Sequence, residues 1–358
     1  MLTGQTILIT GGTGSWGVEL TKQMLQRDKP KEIRIYSRGE LQQVKMKQQF
    51  SAEFAAGVLK FIIGDVRDRD RLVEAGRGVD IIFHLAALKH VPVCEENPQE
   101  AVKTNILGTQ NVIYSAEENN VRKMILISTD KAVDPFNLYG VTKACAEKLV
   151  IAANNNTKNT SFFCVRAGNV VGTSGSVFPL FREQLVKGNM VTITEPSMTR
   201  FLLRLPQAIS LVFLAVSKAV GGEIMVLKMP AVTVQQIADV MIARLGNEHS
   251  KIKTIGIRSG EKVHEVLVSR YEASRAIDGG NYFIILPSIH IDIIARTYHS
   301  FEPGLSEEYA SNNTNQLSNE ELEHLLVEDG WFSANRQTGM EELTIDKIRN
   351  YQELEGWK

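Results

Sequence analysis

Short apolar runs recur along the first half of the chain, each closed by a polar or glycine-bearing segment and followed by helical spacing. Residues 5–10 (QTILIT) are the first such run, and residues 32–36, 60–63, 80–85 and 124–127 repeat the theme, with helical spacing over 18–26 and 100–118. Strands that alternate with helices predict a parallel, doubly wound α/β sheet, because parallel neighbours need a crossover that packs on the sheet face. Residues 161–165 read as another strand, an amphipathic helix starts at Phe178, and residues 222–227 read as a strand returning to the sheet. The larger unit is therefore expected over 1–170 plus about 201–227. A smaller, discontinuous α/β unit is expected over about 171–200 and 228–300. Residues 306–318 are polar and 319–328 have helical apolar spacing, so 301–358 reads as a C-terminal tail, one that packs on a neighbouring subunit.

Composition narrows the class without naming the chemistry. The 358 residues are 43% hydrophobic and 23% charged, ordinary for a globular chain. With 40 Lys and Arg against 41 Asp and Glu, the net charge of -1 gives no electrostatic reason to expect nucleic acid or an anionic membrane as partner. The apolar stretch 201–220 is broken by Arg204, Pro206, Gln207, Ser210, Ser217 and Lys218, which predicts a buried helix and no membrane span. The first ten residues lack the features of a signal peptide. Three cysteines, Cys94, Cys145 and Cys164, lack metal-like spacing, and their odd number argues for a reducing compartment, hence the cytoplasm.

The strand ends carry the candidate chemistry. Gly11, Gly14 and Gly17, with Thr13, Ser15 and Trp16 between them, sit between a strand and a helix, the place where a Rossmann sheet admits a pyrophosphate to a helix N-terminus. Ser37 and Arg38 end the second strand, where a hydroxyl with a guanidinium suits a 2′-phosphate; NADP is favoured over NAD, although Arg38 also fits a solvated loop cation. Asp65 and Val66 end the third strand, beside the adenine of a dinucleotide, or as a helix cap. Ala86 and Ala87 let a cofactor approach the backbone, Lys89 and His90 face the crevice, and Asn105 joins the cofactor set from its helix. Residues 128–143 (STDKAVDPFNLYGVTK) form the densest cluster. Tyr139 and Lys143 are four apart at a helix start, so an ammonium beside the phenol lowers its pKa and makes it a base for a hydroxyl losing hydride. Ser128 or Thr129 bonds the same hydroxyl. Asp130 and Lys131 exceed what alcohol oxidation needs: either they are a solvated loop pair, or they are the acid and base of an elimination, for which Lys131 must be neutral.

The glycine turn, STDKA and the Tyr-x-x-x-Lys pair resemble the extended short-chain dehydrogenase/reductase superfamily, and within it the UDP-N-acetylglucosamine 4,6-dehydratases of surface-glycan synthesis, over roughly residues 1–290. The resemblance implies that Tyr139 deprotonates the 4-hydroxyl, Lys131 takes the carbon-5 proton, Asp130 protonates the departing 6-hydroxyl, and hydride returns to carbon-6 from a tightly bound NADP. dTDP-glucose 4,6-dehydratases carry Asp-Glu at the pair and 4-epimerases lack it, so Lys131 discriminates. In the second half, Asn169 can bind diphosphate or ribose, and Ser176, Val177, Thr194, Met198 and Arg200 match segments that border the nucleotide in relatives. Arg258 and Glu261 match the family's diphosphate and ribose ligands. Ala167 stands where relatives carry Tyr and Ser259 where they carry Pro, and Arg166 and Arg200 also fit plain structural braces. A UDP-sugar substrate and a homo-oligomer of two or more chains are implied. The rivals are a sugar-nucleotide 4-epimerase, a dehydratase of another nucleotide sugar, and a non-catalytic NADP-binding regulator.

Overall fold

The computed structural model describes residues 2–157, 159–171, 177–257 and 260–332. The strands in chain order are β1 (Thr6–Thr10), β2 (Glu32–Ser37), β3 (Leu59–Ile63), β4 (Ile81–His84), β5 (Lys123–Thr129), β6 (Ser161–Ala167), β7 (Met190–Ile193), β8 (Thr199–Phe201), β9 (Ile224–Leu227), β10 (Ala231–Thr233), β11 (Lys251–Thr254), β12 (Val266–Val268), β13 (Ala276–Asp278), β14 (Tyr282–Ile285) and β15 (Tyr309–Ala310). Nine of them make one sheet in the order β13-β14-β9-β6-β5-β4-β1-β2-β3. From β3 to β9 every neighbouring pair is parallel. Alternate residues feed the two faces: Leu8, Ile82, Met124 and Phe162 pack on one side, and Ile9, Phe83, Ile125 and Phe163 on the other. Burial on both faces is why these strands read as continuous apolar runs.

The doubly wound α/β architecture expected from the strand-helix alternation is present. The strand order reverses between β1 and β4, so a crevice opens at the carboxyl ends of β1, β4 and β5. Residues 276–285, grouped above with the smaller unit, instead extend the sheet edge: β14 pairs antiparallel with β9, and β13 antiparallel with β14. β13 and β14 are linked to each other by a tight hairpin with no helix between them, which is why the alternation of strand and helix does not reveal them.

The smaller unit pairs β7 with β11 and β8 with β10 beneath the helices Val177–Gly188 and Val234–Leu245. Its core contains Phe178, Phe181, Val191, Ile237 and Met241 together with Leu322, Leu326 and Trp331. The helix Asn319–Glu328 is thus part of this chain's own core, contrary to the expectation of a tail for a neighbour; the ion pairs of Arg204 with Glu328 (2.9 Å) and Asp329 (2.5 Å) hold its end. Leu326→Ala is expected to cost about 2–5 kcal/mol in a urea titration. An unchanged midpoint would mean that this helix does not serve the fold. Among the described residues no helix is long and apolar enough to cross a membrane.

Candidate active site

One cleft runs from the carboxyl ends of the parallel strands into the smaller unit. It encloses about 1460 Å³, more than the roughly 300–1,000 Å³ of a pocket for one drug-sized ligand. At one end lies the glycine turn. Gly11 has φ +68°, and a Cβ there would stand 2.7 Å from the Ala86 nitrogen, so only glycine lets the two loops meet. Gly14 caps the helix Ser15–Arg27 without any side-chain bond, which leaves the first N–H groups of that helix free for an anion. Gly11→Val is expected to abolish dinucleotide binding in a calorimetric titration while the other strands stay folded. Undiminished binding would remove this turn from the site.

The remaining expected cofactor residues divide. Gly14, Ser15, Trp16, Ala86, Ala87, Lys89 and Tyr139 line the cleft, with Lys143. Thr13 and Gly17 belong to the turn and its helix behind that lining. Ser37 is buried and its hydroxyl accepts from Gln43 Nε2 (3.1 Å), because the helix Glu40–Gln49 folds back on the end of β2. Arg38 stays exposed, its guanidinium 3.6 Å from the Asp65 carboxylate, which Arg67 also holds at 2.6 Å. Burial pushes the Asp65 carboxyl up, but the bonds from Arg67 outweigh it and the net shift is downward. Val66 is buried. Asn105 sits in the π-helical turn Val102–Leu107 and is fully engaged away from the cleft: its amide donates to Leu88 O (2.9 Å) and Thr142 Oγ1 (3.0 Å) and accepts from Leu88 N–H (2.8 Å). It fixes the loop after β4 from behind.

The polar cluster is built by three local devices. β5 ends at Thr129, whose hydroxyl donates to Asp130 Oδ1 (2.7 Å), and a 3₁₀ turn Asp130–Ala132 follows. Asn137 caps the helix Leu138–Ala153 by accepting from Gly140 N–H (2.8 Å), placing Tyr139 in the first turn. Gly140 has no Cβ to strike the Lys131 carbonyl, so helix and turn lie against each other. Asp130 is 1% exposed. Lys131 Nζ lies 3.2 Å from Asp130 Oδ1, 3.3 Å from Asn169 Oδ1 and 3.5 Å from Glu265 Oε1.

The electrostatics depart from expectation in two respects. Lys143 donates to Ile127 O (2.8 Å) and is not among the groups acting on the phenol. Burial pushes Tyr139 up to about 12, while Lys131 and a hydrogen bond with Thr129 pull it back. Lys143 itself is brought down to about 8 by burial, with Glu147 opposing. As a base Lys131 must be neutral; burial does lower its pKa, but Asp130 and Glu265 outweigh it and the net shift is upward. The ammonium form is thus the resting form. Asp130 and Lys131 are no solvated loop pair.

Of the residues expected to hold the substrate, His90, Asn169, Val177, Thr194, Arg200 and Glu261 line the cleft. Met198 is buried, its sulfur accepting from Thr194 Oγ1 (3.2 Å) and Arg200 Nη2 (3.2 Å), so it holds those residues in place. Ser176 and Arg258 lie outside the described residues. Arg166 is a core brace, bonded to Glu147 (2.7 Å), Glu272 (3.0 Å) and Leu267 O (2.8 Å). Glu265 was not singled out from sequence. Its distance along the chain from Lys131 hides the contact, and only its nearness in sequence to Arg258 and Glu261 pointed toward it.

Residues 7–287 match the family described as polysaccharide biosynthesis protein. A Campylobacter jejuni UDP-N-acetylglucosamine 4,6-dehydratase (inverting) is 42% identical over 332 residues, 89% of this chain and 96% of the relative. A Rickettsia bellii protein described as UDP-glucose 4-epimerase is 44% identical over 337 residues, 91% of this chain and 96% of the relative. Among solved structures, Pen from Bacillus thuringiensis matches with TM-score 0.83 at 38% identity, covering 91% of this chain and 99% of that one. DesIV of Streptomyces venezuelae, a dTDP-glucose 4,6-dehydratase solved with NAD and TYD, matches with TM-score 0.67 at 21% identity over 92% of this chain and 98% of that one, which establishes the fold alone. With this coverage and the Rossmann-type sheet, the chain belongs to the polysaccharide biosynthesis protein family, alongside the UDP-N-acetylglucosamine 4,6-dehydratases that resemble it over most of its length.

Proposed function

We propose that the protein is a UDP-N-acetylglucosamine 4,6-dehydratase that makes a UDP-4-keto-6-deoxy acetamido sugar for surface-glycan synthesis. The observation that carries this reading is the buried Asp130-Lys131 pair beside Tyr139. Relatives described as dehydratases and as epimerases are similarly close, so the pair decides between them; moving a hydride on and off carbon-4 has no use for it. The dinucleotide fits the turn at Gly11 and the uncapped helix at Gly14. When bound, it supplies the hydride acceptor at carbon-4 and returns the hydride to carbon-6. Arg38, exposed at the end of β2, supports NADP over NAD.

The proton inventory closes on this chain's own residues. The resting ion pair holds one mobile proton; shifting it over 3.2 Å from Lys131 to Asp130 gives an amine and a carboxylic acid. Tyr139 takes the 4-hydroxyl proton and Lys131 takes the carbon-5 proton, which the ketone acidifies. Asp130 gives its proton to the departing 6-hydroxyl, and water leaves. Lys131 then returns a proton to carbon-5; inversion there, which the relatives described as inverting support, requires the ring to present its opposite face to the amine. Against the resting pair, Tyr139 ends one proton richer and Lys131 one poorer; the proton passes from Tyr139 through the Thr129 hydroxyl to Asp130, which faces Lys131, and the pair is reset.

Exposed Val102, Leu107, Tyr114 and Val141 on the helical segments around 102–118 and 138–153 support a homo-oligomer paired through those faces. Three free thiols support a cytoplasmic location. Mass spectrometry of UDP-N-acetylglucosamine after incubation, without added reductant, tests the activity. A product lighter by one water is expected, and an isobaric product would support the epimerase instead.

A further inference from the structure

The cleft contains one buried acid that the reaction above does not use. Glu265 immediately precedes β12 and is 4% exposed. Its Oε1 lies 3.5 Å from Lys131 Nζ and 3.8 Å from Arg200 Nε, and its Oε2, also buried, has no hydrogen-bond partner among the described residues. The main chain at this point is pinned from both sides by the C-terminal segment. Glu265 N–H donates to Ser311 Oγ (2.9 Å), Ser311 N–H donates to Glu265 O (2.8 Å), and Ser311 Oγ is 2.6 Å from Thr199 Oγ1 next to Arg200. Asp130, Lys131, Glu265 and Arg200 therefore alternate in charge from the end of β5 into the smaller unit.

We propose that Glu265 is a positioning residue for Lys131, and that it keeps the amine in place while Asp130 carries the proton. The reason lies in what the proton shift does to the pair. An ammonium between two carboxylates is held by both, but once Asp130 becomes a carboxylic acid the ion pair on that side is gone. Lys131 rides on a four-carbon stem with high rotamer freedom and is about a quarter exposed, and among the described residues Glu265 is the other carboxylate paired with it. Glu265 lies beside Arg200 and the amine, and has a second buried oxygen with no partner among the described residues to follow it. The C-terminal segment anchors that carboxylate, which links residues 309–311 to the chemistry.

This inference rests on the dehydratase reading, and the test separates the two. Wild type, Glu265→Gln and Glu265→Leu are incubated with UDP-N-acetylglucosamine in heavy water over a range of pH, with UDP affinity as the check on folding. Glu265→Gln keeps an oxygen for Lys131 and loses the charge, so the limb of the pH profile that reports Lys131 ionisation is expected to move to lower pH. Glu265→Leu loses both and should incorporate deuterium at carbon-5 roughly 10- to 100-fold more slowly, the size of effect that misplacing a reacting group produces, with reduced cofactor still formed. An unmoved limb in Glu265→Gln, or a wild-type rate in Glu265→Leu, overturns the role of Glu265 alone. Turnover by wild type with no deuterium at carbon-5 overturns the dehydratase reading and this inference with it.

Discussion

Lys131→Ala is expected to stop deuterium from heavy water reaching carbon-5 while UDP and the dinucleotide still bind. Lys131 is the base assigned to the carbon-5 proton, and general-base catalysis of this kind contributes roughly 10²–10⁴ in rate. Oxidation at carbon-4 depends on Tyr139 and Thr129 and should survive, though more slowly because Lys131 no longer pulls the phenol down, so reduced cofactor accumulates in place of product. Lys131→Arg sharpens the test, since a guanidinium preserves the pairing with Asp130 and Glu265 but cannot give up its proton. It should be as inactive in exchange as Lys131→Ala yet more stable. The alanine variant leaves two buried carboxylates without their cation; breaking a fully buried pair costs about 3–5 kcal/mol, and the partial exposure of Lys131 places this case below that range. Normal exchange in either variant would take the base role from Lys131.

Tyr139→Phe should remove the first step instead, with kcat down by roughly 10²–10⁴ and neither reduced cofactor nor exchange observed. The phenol acts as a base only when ionised, and burial holds its pKa up to about 12, with Lys131 and Thr129 opposing. The rate on the limb it controls therefore rises with pH, and Tyr139→Phe should lose that limb. Loss of a phenol bonded to Thr129 costs about 1 kcal/mol in stability, too little to mistake for unfolding. Substantial reduced cofactor in Tyr139→Phe would contradict the assignment. The two variants thus fail at different steps, which no role in folding alone would produce.

The sheet was legible because its strands are buried on both faces and spell out apolar runs, and because the glycine turn and Tyr139 lie beside their own strand ends. Local patterns could not show β14 adding to the edge and β13 adding to β14, since a hairpin leaves no crossover signal. Nor could they show that Leu322 and Leu326 face this chain's own smaller unit, because an amphipathic helix announces a partner without naming it. In the site, Asp130 and Lys131 were readable as a pair, yet the sign of the surroundings of Lys131 was not. That sign depends on Glu265, placed by the β12–β15 ladder far along the chain. Ser37 and Asn105 show the same limit: residue type and position pointed to the cofactor, while their contacts with Gln43 and with the Leu88 backbone depend on the fold.

The most direct test of the claim that Asp130 and Lys131 turn a transient oxidation into dehydration is NMR of the product formed from UDP-N-acetylglucosamine in heavy water without added reductant. The predicted result is a 6-deoxy sugar carrying deuterium at carbon-5; a 4-epimer with hydrogen retained at carbon-5 would contradict it.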